Sequence, residues 1–307
     1  MYGHSNDVIC LALSSDGQYL ATACKARDTT TASIFIWETR RNSCISKLVC
    51  HESSVICLRF SPDDSRVVSA GKDRSLGVHE KFSAEPTQEG SSNKEFSTVL
   101  VVKNAHKRII WDCAWSGDGR LILTGSRDGS CKVWGIREDD GVNGIELVCL
   151  LNFTPFSGVA VTSIDIFCDY LRKGVEGEKM EHLCCMGSEG GNISILKLDV
   201  TSTWNTRCGG SGDNVSTQAT TSSLPSLGSG KGSSPVMQSF HSPNASGTEI
   251  WKARREEMHG SAINRLRWFQ NPGTSSEGDC FTVASAGEDC SIRVFSFLRH
   301  DLLSSSE

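Results

Sequence analysis

Four histidines, His4, His51, His106 and His259, each open a run of short apolar segments. In three of these runs an aspartate follows in a turn, and six residues after it stands a ring: Asp73 before His79, Asp128 before Trp134, Asp289 before Phe295. Imidazole and carboxylate are the groups that general acid–base chemistry uses, and 14 cysteines add a store of thiols. The surrounding sequence argues against an enzyme. It holds no nucleophile elbow and no Cys-x-x-Cys pair, and the histidines are committed to repeat positions, so zinc is not expected. The segment GSGKGS around Lys231 is not a phosphate loop, because the upstream glycine and a Ser or Thr directly after the lysine are missing. No cofactor is expected.

The elements that position these residues are best seen in residues 106–134, HKRIIWDCAWSGDGRLILTGSRDGSCKVW. Residues 109–115 predict a strand, and the SGDG that follows is a turn signal. Residues 121–125 predict a second strand, the Arg127-Asp128-Gly129 turn follows, and 130–134 predict a third. No connection is long enough for a crossover helix, so the unit is an antiparallel meander. The unit recurs from His51, from His4 to Trp37 with a longer second turn, and from His259. A weaker copy spans about 158–198, with Gly190 and Leu196 where the aspartate and the ring would stand.

Repeats of roughly 40–50 residues with this spacing read as blades of a β-propeller. The expected fold is all-β, about five blades of four antiparallel strands, with blades at 1–50, 51–103, 104–154, 155–200 and 250–307. Residues 201–249, rich in Ser, Thr and Gly, carry too few apolar side chains to offset the entropy of ordering and predict a disordered insertion. Little sequence precedes His4, and the terminal LRHDLLSSSE is a poor outer strand. The expectation is therefore part of a larger, seven-bladed ring, from a fragment or a truncated gene product, since an open arc exposes strand edges.

The pattern resembles that of WD-repeat proteins, which implies a hydrogen-bonded chain in each blade from loop His through second-strand Ser or Thr to turn Asp and third-strand Trp. By position the members are His106, Thr124, Asp128 and Trp134 in blade three, and His51, Ser69 and Asp73 in blade two, where His79 replaces Trp. Blade five offers His259, Ser285 and Asp289, and blade one His4 and Trp37. A buried polar group left unpaired costs about 1–3 kcal/mol, so these residues are expected to be structural.

Composition agrees with one β domain of ordinary globular character, 38% hydrophobic and 22% charged over 307 residues. A net charge of −5 argues against a surface that coats nucleic acid generally. No run of 18 apolar residues occurs and MYGHSNDV is not a signal peptide, so no membrane association is expected. Cys10, Cys57 and Cys113 sit at equivalent first-strand positions as small apolar side chains, and reduced thiols fit a cytoplasmic and nuclear protein.

Within this acidic chain, basic residues gather on the side that carries the His loops and Asp turns. Blade one contributes Lys25 and Arg27, blade two Lys72 and Arg74, blade three Lys107, Arg108 and Arg127, whereas blades four and five place Glu189 and Glu288 at the matching turn. This arc suits an acidic partner or the phosphate backbone of RNA.

Several stretches are more specific than the repeat: YGH, LATACKARDTTTASIFIWE, AHKRIIWDCAWSGDG, TGSRDGSCKVW, HGSAINRLRW and SAGEDCSIRVF. Together with their order and the long insertion before the last blade, they resemble the second-subunit family of the Elongator complex. That resemblance implies a non-catalytic scaffold subunit supporting modification of transfer-RNA wobble uridines. It implies contacts with the large scaffold subunit and the catalytic subunit, and transfer RNA as a further candidate at the basic arc. The alternative is a generic WD-repeat adaptor, such as a ubiquitin-ligase substrate receptor, and no motif favours one.

Overall fold

The computed structural model describes residues 3–26, 32–82, 95–139, 144–168, 182–200, 219–221, 238–241, 245–254, 256–270, 280–298 and 302. Blade one comprises β1 (Val8–Leu13), β2 (Tyr19–Cys24), β3 (Ala32–Glu38) and β4 (Ser43–His51). Blade two comprises β5 (Val55–Phe60), β6 (Arg66–Gly71), β7 (Leu76–Lys81) and β8 (Phe96–Val102), and blade three β9 (Ile110–Trp115), β10 (Leu121–Ser126), β11 (Cys131–Asp139) and β12 (Gly144–Phe153). Each is a four-stranded antiparallel sheet in chain order. The turns after the first strands are built alike. Ser14 and Ser61 donate to Asp16 and Asp63 and accept the backbone N–H five residues on, at 2.8 and 2.9 Å, and Ser116 with Asp118 repeats the device. The short polar side chain thus satisfies the backbone where the ladder ends.

The fourth blade differs from the sequence expectation. β13 (Val161–Cys168), β14 (His182–Ser188) and β15 (Ile193–Val200) pair in order, and the strand beside β15 is β18 (Ala245–Lys252). β16 (Ala219–Thr221) and β17 (Gln238–His241) extend that sheet. The stretch 201–249 therefore contains strand where disorder was expected, and residues 245–252 complete blade four instead of opening blade five. The physical reason is visible in β18, where Ala245 and Glu249 are buried against β15. Blade five is left with β19 (Ile263–Gln270), β20 (Cys280–Gly287) and β21 (Ile292–Leu298) among the described residues.

The first strands β1, β5, β9, β13 and β19 lie against one another in sequence, and the core is a series of layers between successive blades. Blades one and two share Ile34, Leu58 and Phe96; two and three share Cys57, Ile110 and Trp134. Three and four share Leu123, Phe156 and Met186; four and five share Ile195, Phe281 and Val283. The end blades turn apolar side chains to solvent, Leu11 and Leu13 on β1 and Phe269, Ile292 and Val294 in blade five. The molecule is a partial β-propeller.

Candidate functional site

Each network begins at a histidine on the loop entering a first strand. In blade three His106 Nε2 lies 2.8 Å from Thr124 Oγ1, and Trp134 Nε1 donates to the same oxygen at 2.9 Å. Asp128 lies 3.3 Å from His106 Nδ1 and accepts the backbone N–H groups of Lys107 and Ser130. In blade five His259 bridges Asp289 at 2.9 Å and Ser285 at 2.8 Å. In blade one His4 Nε2 and Trp37 Nε1 each meet Thr22 Oγ1 at 2.7 Å. Thr22 escaped the sequence reading, although its offset of 18 from His4 equals those of Ser69 from His51 and Thr124 from His106.

Blade two holds the longest chain. Asp73 lies 2.9 Å from His51 Nδ1, His51 Nε2 is 2.7 Å from Ser69 Oγ, and Ser69 Oγ is 2.8 Å from His79 Nε2. His79 Nδ1 in turn meets Thr98 Oγ1 at 3.0 Å. The order Asp, His, Ser is that of a nucleophilic triad. Ser69, Thr124 and Ser285 are all at most 1% exposed, so substrate has no path to these hydroxyls, and their role is to tie loop, turn and strand together.

The two histidines of blade two are driven apart. Burial would lower His51, but Asp73 and the neighbouring Cys50 together outweigh this and raise it to about 9. Burial, with the His51 charge adding to it, pushes His79 down to about 3. His51 therefore stabilises the fold below pH 6.5, an effect lost as pH rises through about 9. His79 acts oppositely: below 6.5 the unfolded chain binds a proton that the fold refuses. His79→Phe should remove this acid penalty, flattening stability by about 1.4 kcal/mol per pH unit between pH 6 and 4 relative to the unsubstituted chain. Urea unfolding at those two pH values measures it, and parallel pH slopes would refute it.

In blade four Ser188 accepts the Asn192 N–H at 3.0 Å, and Leu196 is buried where the other blades carry a ring.

The basic arc is defined by five equivalent backbone bonds. The N–H groups of Lys25, Lys72, Arg127, Glu189 and Glu288 donate to the carbonyls of Asp7, Ser54, Ile109, Ala160 and Ala262 at 2.8–2.9 Å. The second turns of all five blades thus stand in one register on one face, with cations in blades one to three and carboxylates in four and five. Lys25, Lys72, Arg74, Lys107, Arg108 and Arg127 are all exposed. Arg27 lies outside the described residues.

A second charged group has no counterpart in the sequence reading. Asp112 on β9 is fully buried and accepts from Arg59 Nη2 at 2.9 Å, with Arg267 at 3.6 Å and Arg265 at 4.0 Å. Its oxygens also accept from Cys57 Sγ, the Cys113 N–H, Ser163 Oγ and the Ile164 N–H. Burial alone would push the Asp112 carboxyl up; Arg59, Arg267 and Arg265 hold it below the usual range. Asp165 on β13 accepts the Trp268 N–H at 3.0 Å, and burial pushes its carboxyl up against the pull of Arg267. No sequence signal marked these residues, because the arginines that face Asp112 lie 53 residues or more from it. Among the described residues no group of three His, Cys, Asp or Glu side chains is arranged to hold a metal ion.

The repeated sheets, their buried His–hydroxyl networks and the arc of first strands define a partial β-propeller, and the WD domain, G-beta repeat family model matches residues 1–37, 42–80 and 97–135. The chain is similar to the Arabidopsis thaliana protein named Elongator complex protein 2, 28% identical over 298 residues, which are 97% of this chain and 29% of that protein. Proteins of the same name from Dictyostelium discoideum and Schizosaccharomyces pombe are 32% and 31% identical over 66% and 64% of the chain, covering 21% and 23% of their own lengths. The chain thus spans less than a third of each of these relatives.

Proposed function

We propose that the chain is a non-catalytic scaffold subunit of the Elongator complex, supporting modification of transfer-RNA wobble uridines in the cytoplasm and nucleus. The observation that carries this reading is similarity along 97% of the chain to a protein named Elongator complex protein 2. The sealed hydroxyls of the blade networks support a binding rather than a catalytic role. Its partners are then the large scaffold subunit and the catalytic subunit. Affinity purification of the tagged chain from its own cells, followed by mass spectrometry, tests this. Recovery of both subunits is expected; recovery of a ubiquitin ligase or an unrelated signalling set instead would overturn it.

The basic arc is the docking surface we assign to an acidic partner or to transfer RNA. Arg108 and Arg127 stand exposed in neighbouring loops of blade three. Reversing both charges, Arg108→Glu with Arg127→Glu, should weaken binding about tenfold at low salt. Stability should change by no more than about 0.5 kcal/mol, because both side chains are at the surface. Filter binding of transfer RNA and pull-down of the partner subunits read the effect; unchanged binding in both assays removes the arc from the function.

A further inference from the structure

Cys57 on β5 and Cys113 on β9 stand on adjacent first strands of blades two and three, 2% and 0% exposed. Neither thiol belongs to a blade network. The Cys113 S–H donates to Cys57 Sγ at 3.2 Å, and the Cys57 S–H donates to Asp112 Oδ1 at 3.1 Å. The two thiols thus form a relay that ends on the buried carboxylate, which Arg59 also contacts at 2.9 Å. A disulfide holds its sulfurs at about 2.05 Å, so a closure of about 1.2 Å from the observed contact would join the two strands.

Buried thiols react only with a reagent that can reach them, and a route lies beside this pair. On the face opposite the basic arc, a cavity of about 440 Å³ opens on the propeller axis and takes lining residues from all five blades. Arg59 and Ala114, two residues after Cys57 and one after Cys113, form part of its lining together with Arg267. Arg59 and Arg267 both face Asp112, and Asp112 accepts from Cys57. A single layer of side chains therefore separates the sulfurs from the cavity. A molecule the size of water can work through such a layer, whereas a bulky thiol reagent cannot.

We propose that Cys57 and Cys113 are an oxidation site, a dithiol that hydrogen peroxide converts to a disulfide across the joint between blades two and three. In the first step Cys57 Sγ attacks a peroxide oxygen. An S–O bond forms, the O–O bond breaks, and the Cys57 proton passes by way of Asp112 to the departing hydroxide, giving water. Cys113 Sγ then attacks the sulfenic sulfur. The S–S bond forms, the S–O bond breaks, and the hydroxide leaves with the Cys113 proton as a second water. The two thiols lose two electrons and the peroxide gains them. The order follows from the relay, because the Cys57 proton already faces a carboxylate. The contact with Cys57, and burial after it, hold the Cys113 thiol protonated well above its ordinary range. The product pins β5 to β9 and takes one donor from Asp112, so oxidation stiffens the joint between two of the three blades that carry the basic arc. The site does not depend on membership of the Elongator assembly.

Peroxide treatment of the full native chain, then alkylation in denaturant and tandem mass spectrometry of tryptic peptides, tests the proposal. A link between residues 48–59 and 109–120 is expected, with fragmentation placing it on Cys57 and not on Cys50. It should carry a loss of about 2 Da, two hydrogens, and dithiothreitol should reverse it. The linked chain should melt at least about 3 °C higher, because the cross-link restricts the unfolded state. Cys57→Ser, which keeps a donor for Asp112, and Cys113→Ala should each lose both the link and the peroxide-induced rise. Two variants guard against a folding defect in one. Cys57 and Cys113 still reduced after the exposed Cys44, Cys149 and Cys290 have reacted would overturn the proposal, as would a link from Cys50 or a link without a higher midpoint. So would a link that forms only where iodoacetamide also labels Cys113 in the native chain, since it would report wholesale opening and not entry from the cavity.

Discussion

Asp112→Ala should be the most damaging single substitution in this chain, lowering the unfolding free energy by about 3–5 kcal/mol. The carboxylate is fully buried and faces three guanidinium groups, two of them largely shielded from water. Removing it leaves those charges without their nearest carboxylate, and also takes the acceptor from the Ser163 O–H and the Ile164 N–H that point at Oδ2. Because Asp112 joins blade three to blades two, four and five, the loss should spread beyond its own sheet. Urea unfolding followed by tryptophan fluorescence measures it. Asp165→Asn serves as the contrast. Burial already favours the neutral carboxyl there, and an amide keeps an oxygen for the Trp268 N–H, so a loss of only about 1 kcal/mol is expected. Equal losses in the two variants, or a loss below about 1 kcal/mol for Asp112→Ala, would refute the view that this ion cluster organises the axis.

Gly191→Ala should cost on the order of 3–5 kcal/mol, from backbone strain and overpacking together. Gly191 has φ of 79°, a left-handed conformation that a Cβ disfavours. The second effect is larger in kind: an added Cβ would lie 2.1 Å from the carbonyl oxygen of His259. That backbone belongs to the loop opening blade five, whose His259 N–H donates back to Gly191 O at 3.1 Å. The substitution should therefore loosen the joint between blades four and five. Blade two supplies the comparison, because Arg74 adopts φ of 67° at the matching turn position with a full side chain. The conformation alone is tolerable; the close approach of the next blade is not. Differential scanning calorimetry and amide exchange at Ser285 test this. A change under about 1 kcal/mol would show that the loop yields.

Much of this architecture is legible in the one-dimensional pattern because its causes are local. Short strands broken by Ser-x-Asp turns form a meander, and the offset of 18 from His to hydroxyl repeats in blades one to three because their first and second strands are all six residues long. His106, Thr124, Asp128 and Trp134 meet for that reason. The equivalence of Lys25, Lys72 and Arg127 follows in the same way, since each is the residue that leaves the second strand.

The outer strand of blade four was illegible because composition reports the mean character of a stretch. Ala245 to Lys252 sits at the end of a polar run, and its pairing with β15 is a choice between distant segments that neither announces. The axial cluster was hidden for a related reason. Asp112 reads as an ordinary strand residue between Trp111 and Cys113, and Arg59 and Arg267 as ordinary exposed cations. The sequence by itself determined the repeat, the blade networks and the face on which the basic arc stands, because these depend on spacings within one blade. Only the tertiary structure decided which charges meet on the axis and which glycine must stay bare. Those depend on the angle and closeness at which successive blades pack, and such distances are encoded by the whole interface and not by any residue spacing.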